Sequence, residues 1–450
     1  MDRSRAAINN SLELITRCLL VMVLLAPSAS SQLVSELDAV ETQAIESLRA
    51  LRGDEPPTEA TVEDFLVENA KSCVDLCLQL MLQQSVPATA EGTPQRLSIQ
   101  QESIMLAALA RMPADVVRQS ADRLLLGATE EHARVVTCRV YGRFGNAFDV
   151  DLLFALACEE DAEETTAALR AGFRDGLHHL ITRPDVAAAL GRKWSSTPPA
   201  LREPMLQALG DARDPRALPL LSDVITWSDE WASLAIAQVR LIGPSLDEPR
   251  NRTVADSLAD RLDDSDVRIR ESACIALGEL RSEDHIEKLI ELLDHSNRVL
   301  RDAAHKALMR ISGETLPPNT KLWTVWHERE REAVSRMLAR LSEPVLSGAP
   351  VPLLELLRES TRLELGRHDL ADALTPALDH SNDLVRLTAC RVMTQLASPI
   401  AIDALLHALG DPEDEVRDAA LNALISITGV EGLESPTEWR DYLEDRSELY

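Results

Sequence analysis

The stretch Leu409-Gly-Asp-Pro-Glu-Asp-Glu-Val-Arg417-Asp-Ala-Ala420-Leu-Asn-Ala-Leu424 decides the fold. It opens on a turn of Gly, Asp and Pro and continues as a run of good helix formers. Counted from Arg417, the residues three, six and seven places on are Ala420, Ala423 and Leu424. That spacing puts them on one face of an α-helix, and alanine there lets a second helix lie close. The pattern recurs. Arg270 is followed by Ala273, Ala276 and Leu277, Arg301 by Ala304, Ala307 and Leu308, and Arg386 by Ala389, Val392 and Met393. Adjacent copies lie 31 residues apart, and the two pairs are offset by 116.

The offset holds beyond the helices. It relates Leu262 to Leu378, Leu289 to Leu405, Gly313 to Gly429, Trp323 to Trp439 and Trp326 to Tyr442. A block of two repeats with an aromatic tail therefore occurs twice, over about 262–327 and 378–443. Each Arg helix is accompanied by a second apolar helix, such as Ile286–Leu293 or Ile400–Leu409. A helix pair of this kind leaves an apolar face uncovered until a neighbour stacks on it. The register continues upstream, with Thr137, Val140 and Tyr141 after Arg134 and Met205, Ala208 and Leu209 after Arg202. The repeats near 165–190 and 229–242 are degenerate. The expectation is an all-α chain, an α-solenoid of stacked antiparallel helix pairs with essentially no sheet.

These motifs resemble HEAT repeats, including the subgroup named after phycobilisome lyases. The resemblance is close over 255–445 and looser over 105–250. It implies an armadillo/HEAT-like superhelix whose usual role is to present an extended surface to partners. It also implies a ladder between the Asp of each turn and the Arg of the following helix, which here pairs Asp264 with Arg270 and Asp411 with Arg417. Where the turn reads Asp-His-Ser-Asn, Asp294 and Asp379 stand seven residues before the Arg, and the ladder is expected to be irregular.

The chain divides by composition into six stretches. Residues 1–31 run from basic (Arg3, Arg5, Arg17) through apolar (Cys18 to Ala26) to small (Pro27 to Ser31), the order of a secretory signal. Cleavage is the favoured reading, with an uncleaved anchor or no export as alternatives. Residues 32–104 form an N-terminal helical region, which caps the solenoid or stands as a separate module. Residues 105–250 hold the degenerate repeats, 251–340 the first repeat block, 341–377 a linker and helical connection, and 378–450 the second block. After signal removal no stretch is apolar enough to span a membrane.

Composition narrows the function. With 74 acidic against 46 basic residues the formal charge is −28, which repels phosphate backbones and excludes a nucleic-acid partner. Cys138, Cys274 and Cys390 each stand four places after their Arg. Residues at one position of different repeats are held layers apart, so these three are expected unpaired and buried. Cys73 and Cys77 are one helical turn apart without further ligands at matching spacing. There is no His-Glu-x-x-His, no Cys-x-x-Cys and no phosphate loop, and His295 and His380 are explained by the duplication. The sequence thus assigns no catalytic, cofactor-binding or metal-ligating residue and no cofactor, and reads as a chain that is not an enzyme. The Trp323/Trp326 and Trp439/Tyr442 pairs are read as plugs of the stack before anchors for a partner.

The leading function is an exported, periplasmic or extracellular scaffold or adaptor for protein partners. The alternatives are a bilin lyase or isomerase-like enzyme, which the resemblance implies, and a structural spacer in an envelope assembly. By the same resemblance the Arg helices line the concave side of the superhelix. The residue five places after each Arg then points toward that groove. These residues are Arg139, Gln207, Ile275, Lys306, Arg391 and Asn422. The three bases, Arg139, Lys306 and Arg391, are the candidate partner-binding residues, unless acids such as Glu271, Asp302 and Asp418 neutralise them.

Overall fold

The computed structural model describes residues 39–52, 56–87, 95–127, 129–158, 165–183, 185–246, 248–341, 348–433 and 435–444. The expected signal segment, residues 1–31, lies outside them. Among the described residues the chain is helical, apart from a two-residue antiparallel ladder of Ser85–Val86 with Gln95–Arg96. No described helix is long and apolar enough to cross a membrane. The chain divides into two units between Ala208 and Leu209.

The first unit holds α1 (Ala39–Ala50), α2 (Glu59–Glu68), α3 (Ala70–Gln83), α4 (Ile99–Arg111), α5 (Ala114–Leu124), α6 (Glu131–Phe144), α7 (Val150–Ala157), α8 (Ala167–Leu180) and α9 (Val186–Lys193). The helix α10 (Pro199–Ala212) carries the division. Thr58, Ser98 and Thr166 begin α2, α4 and α8, each side-chain oxygen accepting from a backbone N–H three residues on. In one row α2, α4, α6 and α8 follow one another, while α3 packs on α5 and α7 on α8 and α9 behind them. The contact between α6 and α8 is backbone to backbone. A Cβ on Gly176 would stand 2.4 Å from the Cys138 carbonyl oxygen, and one on Gly142 would stand 2.4 Å from that of Gly176. Only glycine permits this approach.

The second unit holds α11 (Leu218–Trp227), α12 (Asp229–Ile242), α13 (Glu248–Asp260), α14 (Val267–Glu279), α15 (Ile286–Glu291), α16 (Arg298–Ser312), α17 (Thr320–Arg340), α18 (Pro350–Ser360), α19 (Arg367–Leu374), α20 (Asp383–Leu396), α21 (Ile402–Ala408), α22 (Asp414–Thr428) and α23 (Pro436–Glu444). The pairs are α11/α12, α13/α14, α15/α16, α19/α20 and α21/α22. Their second members form a front row, α12–α14–α16 and α20–α22, with α18 packed beside α20, and their first members a back row that includes α17 and α23. The residues three, six and seven places after Arg270, Arg301, Arg386 and Arg417 are all buried, as the spacing requires.

The duplication holds in detail. Gly313 and Gly429 end α16 and α22 in the left-handed conformation, at φ 74° and 70°. Trp323 and Trp439 are both fully buried, and each indole Nε1 donates to the carbonyl six residues back, Pro317 or Leu433, at 3.1 Å. Trp326 and Tyr442 meet them edge to face. The aromatic tails are therefore packing elements. Cys73, Cys77, Cys138, Cys274 and Cys390 are buried and Cys158 is half-buried, with no disulfide among them. Burial pushes the thiols of Cys138, Cys274 and Cys390 up to about 12, so they stay protonated and inert.

Candidate binding face

The recurring Arg has two tasks, and they differ from the expected ladder. First, it secures the turn before its own helix. Arg301, Arg386 and Arg417 donate from Nη1 to the carbonyl six residues back, at His295 (2.8 Å), His380 (2.9 Å) and Asp411 (2.6 Å). Arg170 Nη1 and Arg202 Nε donate to the carbonyl five back, at Thr165 and Thr197. Second, it reaches forward to the next repeat. Arg386 forms a two-pronged contact with Asp411, Nε to Oδ2 at 2.6 Å and Nη2 to Oδ1 at 2.9 Å. Both side chains are largely buried, and Arg386 holds the Asp411 carboxyl below the usual carboxylate range.

The expected pairs Asp411–Arg417 and Asp264–Arg270 are thus corrected. Each Asp also accepts the backbone N–H two residues on, from Glu413 at 3.0 Å and Asp266 at 2.8 Å. That local turn aims the carboxylate away from its own helix. Asp411 therefore meets Arg386 of the preceding repeat, and Asp264 meets Arg261 at 2.9 Å. Arg261 also reaches Asp229, the first residue of α12, at 2.6 Å.

The candidate bases fall into two groups. Arg139, in the first unit, is held by acids of the adjoining helices: Nη1 donates to Glu102 at 2.6 Å and Nε lies 3.9 Å from Asp175. Its partners are on α4 and α8, which the sequence did not single out. In the second unit Lys306 on α16 and Arg391 on α20 are exposed and make no ion pair among the described residues. Gln207 and Ile275 are half-buried and Asn422 is exposed. Glu271, Asp302 and Asp418 do not pair with Lys306 or Arg391, and Asp302 lies 3.5 Å from Arg298. Elsewhere on the front row charges are joined across helices, as in Arg240–Glu279 at 2.9 Å and Arg310–Glu279 at 3.6 Å.

A small cavity of about 80 Å³ in the second unit is lined by Arg252, Ser282, Glu283, Gly366 and His368 among others. Glu283 closes it by accepting from the Gly366 N–H at 2.6 Å, and burial pushes the Glu283 carboxyl up. Beside it Ser282 Oγ lies 2.8 Å from His285 Nδ1, and His285 Nε2 lies 3.1 Å from Asp256. Ser282 begins the turn Glu283–His285 without capping it by a side-chain hydrogen bond, because its hydroxyl turns to the His285 ring instead. Among the described residues no three His, Cys, Asp or Glu side chains converge as metal ligands do.

Comparison with known proteins fits this geometry. The HEAT-repeat model matches residues 226–309, 255–339 and 371–436. A deoxyhypusine hydroxylase from Aspergillus clavatus is 25% identical over 291 residues, 60% of this chain and 80% of that protein. Two solved structures are also similar. Human deoxyhypusine hydroxylase in complex with glycerol has 19% identity and a TM-score of 0.25, covering 63% of this chain and 97% of that one. An engineered protein has 17% identity and a TM-score of 0.20, covering 62% and 97%. The expectation that the chain is not an enzyme is corrected by the Aspergillus clavatus relative, a hydroxylase of which the match covers 80%. The missing catalytic motifs gave that expectation its force, and a site assembled from distant repeats leaves no local motif to read. The turn-and-Arg register, the burial it predicts and the matched model agree: residues 226–339 and 371–436 of this chain are HEAT repeats.

Proposed function

We propose that the chain is an exported protein-binding scaffold whose front helix row, at Lys306 and Arg391, grips an acidic segment of its partner. The observation that carries this reading is the state of those two bases. In a chain of net charge −28, with Arg139, Arg240, Arg310 and Arg386 all engaged by acids, Lys306 and Arg391 stand exposed and unengaged among the described residues. Exposed charges of this kind set the association rate and its salt dependence. The test is Lys306→Glu with Arg391→Glu, leaving Arg139 alone because its reversal would set Glu against Glu102 and Asp175. The double variant is expected to keep its helicity and lose a partner recovered by cross-linking with the parent chain. Equal recovery rejects the face. Export rests on residues 1–31, and N-terminal sequencing of chain recovered outside the cytoplasm should begin at Gln32.

A second reading, an enzyme related to the hydroxylase, is supported by 25% identity across 80% of that relative. Inserting oxygen into carbon calls for an oxygen-activating metal or organic cofactor. No described set of side chains fits such a metal, so no catalytic step is assigned to a residue here. Gain of one oxygen atom in the mass of a bound partner would favour this reading over the scaffold.

A further inference from the structure

In the first block Arg270 takes the place that Arg386 takes in the second, 116 residues on. Arg386 has a carboxylate before it, that of Asp411, 25 residues later. Arg270 has His295 in that place, also 25 residues later, with Arg270 Nη1 3.3 Å from His295 Nε2. The identity of the proton on that nitrogen follows from the duplication. His295 Nδ1 accepts from the Asn297 N–H at 3.0 Å, and His380, in the same Asp-His-Ser-Asn turn, accepts from the Asn382 N–H at 3.0 Å. A ring nitrogen that accepts carries no proton, so in both neutral rings the proton sits on Nε2. At His380 that N–H donates to the Gly348 carbonyl at 3.2 Å. At His295 it faces the Arg270 guanidinium, and donor meets donor.

Arg270 lacks a second acceptor as well. Its Nε is buried and has no hydrogen-bond partner. Asp264 is near enough to feel the guanidinium charge, but its oxygens accept from the Asp266 N–H at 2.8 Å and Arg261 at 2.9 Å. Buried donors are nearly always satisfied, and a guanidinium without acceptors is costly. Arg270 and His295 are both half-buried, so a ligand has access from solvent. We propose that Arg270 and His295 form a binding site for a carboxylate, which completes this step of the ladder as Asp411 completes the step at Arg386. A planar monoanion matches the guanidinium fork. The nearby Asp264 disfavours a doubly charged ligand. The carboxylate is either a free small molecule or an acidic side chain of a bound chain, and the inference holds without the scaffold reading.

The test uses the full chain in carboxylate-free buffer, with thermal unfolding followed at constant ionic strength. Sodium acetate should raise the melting temperature saturably, by about 2 °C, where sodium chloride at equal concentration does not. His295→Asp supplies the carboxylate from the chain itself, so it should melt higher without acetate and no longer respond to it. Arg270→Lys keeps the charge, removes the fork and should also abolish the response. N-acetyl-glutamate amide acting at lower concentration than acetate points to an acidic side chain, and equal potency to a free carboxylate. No saturable rise in the parent chain, an equal rise with chloride, or an undiminished rise in both variants overturns the proposal.

Discussion

Replacing Gly176 by Ala should destabilise the first unit, although the same change in an open helix stabilises. In α8 the added methyl would stand 2.4 Å from the Cys138 carbonyl oxygen and 3.1 Å from its carbon. Ordinary contact begins near 3.4 Å, so α6 and α8 must part by about 1 Å along their shared face. Across that face Gly142 meets Gly176 at 2.4 Å, tighter than an alanine allows, and Gly172 meets Val135 at 3.0 Å, where the neighbour must give by a few tenths of an ångström, so the opening affects the whole interface. Overpacking of this kind costs about 1–3 kcal/mol. Helix propensity returns up to about 1 kcal/mol. The net expectation is a loss of about 1–2 kcal/mol. Gly191→Ala is the matched control, because nothing lies within 4 Å of its added methyl, and it should gain about 0.5–1 kcal/mol. Urea unfolding followed by far-UV circular dichroism, with amide exchange to locate the change on α6 and α8, reads both. A Gly176→Ala variant as stable as Gly191→Ala would refute the backbone contact.

Four further outcomes follow from the second unit and from α8. Asp411→Ala strands the largely buried Arg386 guanidinium and should cost about 2–4 kcal/mol in chemical denaturation, whereas Asp418→Ala, on the exposed side, should cost almost nothing. Arg386 depresses the Asp411 carboxyl, so its stabilisation is full above the ordinary carboxylate value near about pH 4 and fades as pH falls through the folded value; Asp411→Asn should remove that part of the acid slope. Burial and the neighbouring Arg143 push His179 down to about 4, so the unfolded ring takes its proton first and stability should fall from about pH 6.5 to about pH 4, a slope that His179→Asn should flatten. Trp323→Ala and Trp439→Ala should each cost about 3–5 kcal/mol, and a large difference between them in calorimetry would break the equivalence of the two tails.

The fold was legible because each helix repeats one short-range pattern. Arg followed by small or apolar residues at three, six and seven fixes the buried face, and the 116-residue offset fixes which residues are equivalent. The repeat of α8 was placed as degenerate, and its register, legible too, went unread. Arg170, Phe173, Gly176 and Leu177 fit the register, and Gly142, Gly176, Gly210 and Gly278 recur at multiples of 34 where helices approach closely. Reading only alanine as small hid the glycines. The non-glycine residues Arg213, Arg281 and Ala397, at equivalent helix ends, adopt φ of 51°, 53° and 46°, which no local propensity predicts.

The site was less legible. Sequence spacing places Arg139, Lys306 and Arg391 on equivalent positions, but whether a base is engaged depends on the neighbouring helix. Glu102 lies 37 residues before Arg139 and Asp175 36 after it, outside the 31-residue register that linked the clearest repeats. The ladder direction failed for a similar reason. Two residues six apart in sequence look like partners, yet the Asp turn aims its carboxylate at the previous repeat. The enzyme relative could not be anticipated from motifs, because nothing in the chain spells a local catalytic signature.

The account turns on whether the front row, at Lys306 and Arg391, is where a protein partner sits. Photo-crosslinking residues placed singly at 306 and 391, and at the exposed back-row positions Val325 and Asp403, test this in the producing cell. The account predicts that positions 306 and 391 cross-link to the same protein, in a manner that weakens with added salt, while 325 and 403 do not. Cross-links to one protein from 325 and 403, with none from 306 and 391, would contradict it.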